Sequence, residues 1–169
     1  KKIKNYFRLK INVKNKFFYF DTKHSTNNFI SNILACISTM FVLNLNLNKM
    51  KKKFIGFEIP EGRGDIKIIK KFNKRFKFID ESYNANLLSM TSAINNMDYY
   101  NDNKNHRKLV LLGDMLELGK KSKKFHRTLS VIINRSNIDK VFVCGKYIKE
   151  TFNYLSTNKK GKVFKNIKE

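Results

Sequence analysis

An α/β fold built on a mostly parallel sheet is what this sequence predicts, and three observations predict it. From Phe76 onward, short apolar runs alternate with stretches whose apolar residues recur every three or four positions. The runs Lys108–Gly113 and Val141–Gly145 are almost unbroken, as strands buried on both faces require. Before Leu43 lies a different pattern, strand–turn–strand–helix, so a second structural unit precedes the first.

Taken in order, Tyr6 to Val13 alternates, with Leu9, Ile11 and Val13 facing one way and Arg8, Lys10 and Asn12 the other. That is a half-buried strand. Lys14-Asn15-Lys16 is a polar turn and Phe17 to Phe20 a second strand, which together make a hairpin. Ser25 to Asn28 offers several N-caps for a helix whose apolar face is Ile30, Ile33, Leu34, Ile37 and Phe41. Asn32 falls on that helix and reads, from the residues alone, as an exposed polar position. Leu45 to Lys53 is polar and basic. Residues 57–65 hold the only Pro and two of the seven Gly, and mark a linker and domain boundary.

Beyond the boundary, Ile66–Phe72 and Phe76–Ile79 suggest a second hairpin around Asn73-Lys74. Helices are expected from Leu87 to Met97, from Ser122 with Phe125, Leu129, Ile132 and Ile133 inward, and from Tyr147 to Leu155. Tyr99-Tyr100 is expected at a helix end, followed by the polar run Asn101 to His106. Val163-Phe164 is a candidate last strand. The alternation implies a doubly wound parallel sheet that starts with Phe76–Ile79.

Composition limits the function. The net charge is +23, but only six of the 36 cations are Arg, the residue best suited to bidentate phosphate and base contacts. The Lys residues run from end to end and form no stripe. Lys, Asn, Ile and Phe are abundant, while Gly, Pro and Trp are scarce, a bias of AT-rich codons. A solvated basic surface is therefore expected, with no nucleic-acid partner. Cys36 and Cys144 sit inside apolar patterns with no disulfide or metal spacing, which fits a reducing cytoplasm. Ile33 to Leu43 is too short for a membrane span. No signal peptide is recognised. The chain opens at Lys1 without an initiator Met and is expected to be part of a longer protein.

Chemistry-bearing residues gather at three predicted strand ends: Asp80-Glu81 with the loop to Asn86, Gly113-Asp114-Met115, and Cys144-Gly145. Ligands of open α/β sheets bind at such ends, so a shared rim is expected. Two acids, a phenol and two amides suit a ribose and a base. Each residue also has a plainer reading. Asp80, Glu81 or Asn86 can cap the next helix. Asp114 can serve its own turn. His126 can be a surface or capping residue. Gly62-Arg63-Gly64 is either a flexible joint or a hinge whose Arg63 reaches a phosphate. No GxxxxGK[ST] phosphate loop, Ser-His-Asp set or Cys/His metal cluster occurs in the sequence.

Asp80-Glu81-Ser82-Tyr83-Asn84-Ala85-Asn86 with Ser89-Met90 resembles the signature that opens the C-terminal domain of the Mur ligases. Gly113-Asp114-Met115-Leu116-Glu117-Leu118-Gly119, followed by His126, resembles a second signature of the branch that adds D-alanyl-D-alanine. Gly62-Arg63-Gly64 is similar to the interdomain hinge, and Phe29 to Ala35 to an adenine-side helix. The resemblance implies residues 1–55 as the tail of a central ATP-binding domain and 56–169 as the Rossmann-like C-terminal domain. It implies a cytoplasmic, monomeric ligase of cell-wall precursors that joins D-alanyl-D-alanine to a UDP-linked muramoyl tripeptide. ATP would activate the carboxylate as an acyl phosphate. Mg2+ would be held by residues outside this chain, which would be inactive alone. Asn32 would face adenine, Arg63 a phosphate and Glu81 the ribose. Asp80, Tyr83, Asn84 and Asn86 would line the nucleotide side. Asp114, Met115, Glu117 and His126 would lie toward the dipeptide. The family's Pro after the second Asn is Leu87 here, and its Gly and His before the Asn32 helix appear as Thr26 and Asn28. The competing readings are a non-catalytic basic nucleotide- or RNA-binding module and a degenerate remnant.

Overall fold

A computed structural model describes residues 2–3, 5–97, 106–166 and 168. Tyr99-Tyr100 and most of the polar run after them lie outside the described residues. The chain divides into two compact units, Lys1–Ile59 and Pro60–Glu169.

In the first unit, strands β1 (Lys2–Ile3), β2 (Tyr6–Val13) and β3 (Lys16–Thr22) form an antiparallel sheet in that order. Lys14 and Asn15 both have positive φ, 46° and 62°, the two-residue turn whose twist matches that of paired strands. Helix α1 (Asn27–Val42) follows. Ile33 and Ile37 of α1 meet Phe20 of β3, with Leu47 and Phe54 from two short 3-10 turns. Each such side chain removed from water contributes about 1.5–3 kcal/mol. The basic stretch after Leu43 thus carries core residues that its polar composition conceals. Asp21 is buried and joined at 2.7 and 2.9 Å to Arg8, its partner across the ladder.

In the second unit, β4 (Asp65–Lys71) and β5 (Lys74–Asp80) form a two-stranded antiparallel sheet of their own. Helix α2 (Leu87–Asn96) follows. Three parallel strands, β6 (Leu109–Leu112), β7 (Lys140–Cys144) and β8 (Lys160–Phe164), then lie in sequence order. Helices α3 (Ser122–Arg135) and α4 (Lys149–Asn153) connect them and pack on each other, and α3 also packs on α2. The core joins Val141 and Val143 of β7 to Ile94, Leu129, Ile133, Ile148 and Leu155. On the opposite face, Leu109 and Leu111 stay exposed. Among the described residues the helices therefore cover one face of this sheet, where a doubly wound arrangement would cover both.

One expectation needs correction. The Phe76–Ile79 strand is not the first strand of the parallel sheet. It pairs with β4, and the local turn at Phe72-Asn73 closes that pairing without a long loop.

Candidate active-site loops

At the base of the β4–β5 hairpin, two loops are stitched together. Gly62 and Gly64 have φ of 73° and 91°, a left-handed backbone that Gly adopts without strain. The Gly62 N–H donates to the Asp65 carboxylate at 2.8 Å. The Gly62 carbonyl accepts from the Tyr83 N–H at 3.0 Å, and the Gly64 N–H donates to the Asp80 carbonyl at 2.6 Å. Arg63 sits between these two bridges. Its guanidinium lies 4.0 Å from the centroid of the Tyr83 ring. The ring remains 66% exposed, so one surface of it is open to a ligand.

The acids differ in electrostatic state. Asp80 accepts the Ser82 N–H at 3.0 Å, and the Ser82 hydroxyl and amide hold its carboxyl below the usual range. Glu81 is exposed, yet its carboxylate rests over Gly64, where an added Cβ would lie 3.0 Å from Oε1. Desolvation there, and then the charges of Asp80 and Asp65, push its pKa up. Lys67 bridges Glu61 at 2.7 Å and Asp65 at 3.4 Å. The amides are engaged locally. Asn84 Oδ1 accepts the Ala85 N–H, and Asn86 forms a reciprocal capping box with Ser89 at the start of α2. The plainer reading of Asn86 therefore holds as a structural role. The exposed donors and acceptors here are a cation, an aromatic ring and a carboxylate, which fit part of a nucleotide. Among the described residues no His/Cys/Asp/Glu cluster could hold a metal ion.

The ends of β6 and β7 form a second site. The Asp114 carboxylate accepts the backbone N–H groups of Lys146, Tyr147 and Ile148 at 2.9, 2.9 and 2.7 Å. The turn it serves is the next strand end, not its own. Met115 is buried, and its N–H donates to His126 Nε2 at 3.1 Å. The proton must then sit on Nδ1, which donates to the Ser122 carbonyl at 2.8 Å. His126 is fully buried, and its own carbonyl accepts the Thr151 hydroxyl at 2.6 Å. Glu117 is exposed with φ of 60°, at the bend of the 113–119 loop.

The strand ends expected on one sheet belong to two. Asp80 and Glu81 end the hairpin sheet, whereas Gly113-Asp114 and Cys144-Gly145 end the parallel one and meet. His126 is neither a surface nor a capping residue; it is a buried brace under the Asp114 loop. Asn32 is exposed on α1, in the first unit. Gly145 is the residue whose weight the sequence understated. A Cβ there would fall 2.5 Å from Asp114 Oδ1, and the signal was a lone Gly after an apolar run. No helix among the described residues is long and apolar enough to cross a membrane.

Residues 66–169 match the family described as "Mur ligase, glutamate ligase domain". The chain is 36% identical over 140 residues to the UDP-N-acetylmuramoyl-tripeptide--D-alanyl-D-alanine ligase of Buchnera aphidicola subsp. Baizongia pistaciae, spanning 83% of this chain and 28% of that protein. It is 29% identical to the enzyme of the same name from Rickettsia prowazekii, over 93% of this chain and 33% of that one. Its fold matches crystal structure I of MurF from Acinetobacter baumannii with a TM-score of 0.78 at 20% identity, over 94% of this chain and 33% of that chain. It matches MurF ligase from Thermotoga maritima in complex with ADP with a TM-score of 0.74 at 18% identity, over 98% and 36%. The chain therefore spans about a third of the length of the relatives it matches. By the family match over residues 66–169 and the shared α/β architecture, the chain belongs to the Mur ligase family through its glutamate ligase domain.

Proposed function

We propose that this chain is the C-terminal portion of an ATP-dependent ligase that joins D-alanyl-D-alanine to a UDP-N-acetylmuramoyl tripeptide in peptidoglycan precursor synthesis. Residues 1–55 are the tail of its central ATP-binding domain and 56–169 its C-terminal domain. The observation that carries the reading is the Arg63–Tyr83 stack, held between two backbone bridges with its ring open. A guanidinium fixed this way presents a cation to a phosphate with little rotamer freedom left to lose. Glu81, beside it, can accept hydrogen bonds from ribose hydroxyls. Asp80, Tyr83, Asn84 and Asn86 shape the nucleotide side, the amides through the backbone they hold. Asn32 is assigned to adenine.

ATP supplies the phosphoryl group that turns the acceptor carboxylate into an acyl phosphate, and Mg2+ offsets the phosphate charge. This chain's own residues bind and orient. The 113–119 loop, with Glu117 exposed, Asp114 half-buried and Met115 and His126 buried beneath, positions the incoming dipeptide. The enzyme is cytoplasmic and monomeric.

The test joins this chain to the amino-terminal part of the Buchnera aphidicola ligase and follows phosphate release. Release that needs both the UDP-linked tripeptide and D-alanyl-D-alanine supports the reading, as does a tenfold or larger rise in the KM for ATP in Arg63→Ala. Release indifferent to the dipeptide opposes it. So does polynucleotide binding by the chain with a steep salt slope, which would favour the basic binding module.

A further inference from the structure

The tip of the β4–β5 hairpin carries a feature that the proposed ligation leaves unexplained. Its two-residue turn, Phe72-Asn73, has φ of 52° and 55°, the type I′ geometry. Asn suits that backbone. A bulky aromatic does not, because its Cβ crowds the following carbonyl. Nor does the fold recover the loss by burying the ring, which is 78% exposed. A strained turn that holds an aromatic ring outward points to a role outside the fold.

Like charges are also crowded around it. Of the six cations in segment 66–79, four flank the turn: Lys70, Lys71, Lys74 and Arg75. Lys70 stands directly opposite Arg75 across the ladder, and Lys71 opposite Lys74. Like charges in register repel. These residues and the turn surround an open concavity of about 480 Å3. Behind this cationic collar, Ile68, Ile69 and Phe76 remain exposed, so apolar surface continues toward the base.

We infer that this hairpin tip docks on an anionic lipid bilayer. Phe72 enters the boundary between headgroups and acyl chains, and Lys70, Lys71, Lys74 and Arg75 face lipid phosphates. An anionic surface relieves the repulsion between the paired cations, and ring burial gives the strained turn a use. Basic residues ringing an exposed apolar anchor are the arrangement that combines both attractions of such a surface. A polynucleotide suits the tip less well. Only one of the four cations is Arg, and one ring offers a single stacking platform, not a track. The inference stands whether or not the ligase reading does.

The test is sedimentation of the 169-residue chain with vesicles of phosphatidylcholine alone or with 30% phosphatidylglycerol, at low and physiological salt. Binding to the anionic vesicles at both salts, with little to the neutral ones, is expected. Phe72→Asn places a favoured residue in the turn, so its melting temperature should rise while vesicle binding falls at least fivefold. Changing Lys70, Lys71, Lys74 and Arg75 to Gln should abolish binding. Changing Lys120, Lys121, Lys123 and Lys124 to Gln removes the same charge elsewhere and should leave most of it. Equal losses from the two quadruple variants would overturn the proposal, since net charge alone would then explain binding. So would unchanged binding in Phe72→Asn, or a single-stranded polynucleotide that displaces the vesicles and itself needs Phe72.

Discussion

The carboxylate of Asp114 fills the space in which any side chain at Gly145 would begin, 2.5 Å from Oδ1 to a Cβ built there. Gly145 also has φ of 146°, which other residues rarely adopt. Gly145→Ala should therefore destabilise the second unit by about 3 kcal/mol, from displaced charge-assisted hydrogen bonds plus backbone strain. In an Asp114→Ala background the same change should cost about half as much, because only the strain remains. Urea unfolding of the four proteins in a double-mutant cycle checks this. Strict additivity would mean the carboxylate does not hold that turn.

His126 braces Met115, and the brace is testable at one amide. His126→Leu leaves the buried Met115 N–H without its acceptor, at about 1–3 kcal/mol. Hydrogen exchange of the Met115 amide should accelerate well beyond that of Val141 in the neighbouring strand. His126→Gln, which can return an oxygen to the same place, should recover part of the protection.

Acid should unfold the first unit through Asp21. Hydrogen bonding to Arg8 lowers the Asp21 pKa below its ordinary 3.8, against the opposing effect of burial. A depressed carboxyl contributes stability that is complete above the unfolded value and lost as pH falls through the folded one. The decline should thus begin below about pH 4 and be absent in Asp21→Asn. That variant should already be weaker at pH 7 by about 2–3 kcal/mol, since Arg8 is a third exposed and water replaces part of the pairing. Far-ultraviolet circular dichroism against pH, for both proteins, reads the difference.

Glu81 should show the opposite sign. Its pKa is raised above 4.5, so the folded state holds the proton more tightly and the contribution fades as pH rises through the raised value. Glu81→Gln should then be more stable than the parent at pH 7, with the gap closing toward pH 4. A parent that gains on the variant between pH 4 and 7 would contradict this. A Glu at a position where Gln is more stable is consistent with a carboxylate that serves ligand binding.

Period and punctuation made most of the elements legible. The unbroken runs at β6 and β7 and the three- and four-residue spacing of Leu129, Ile132 and Ile133 correspond to what the fold contains. Both hairpins, β2 with β3 and β4 with β5, were legible from alternation and a polar turn. What was not legible is that Phe76–Ile79 stays out of the parallel sheet, because a short apolar run looks the same in either setting. The turn itself falls one residue earlier than expected, at Phe72-Asn73, where Phe72 occupies a place normally marked by Gly or Asn. Composition likewise hid Leu47 and Phe54 within a basic stretch. At the site, the motif residues were visible but their bonds were not. Asp114 reaches across more than thirty residues to the turn after β7, a contact that spacing cannot reveal.

Three glycines leave no room for a methyl group: Gly62 against the Tyr83 nitrogen at 2.9 Å, Gly145 against Asp114, and Gly161 against the Val141 carbonyl at 2.7 Å. Any larger residue at these places must push its neighbour aside, a backbone amide at Gly62, a carboxylate at Gly145 and a backbone carbonyl at Gly161. The loop joint at Gly62, the turn after β7 and the β7–β8 pairing therefore each depend on the absence of a single carbon atom.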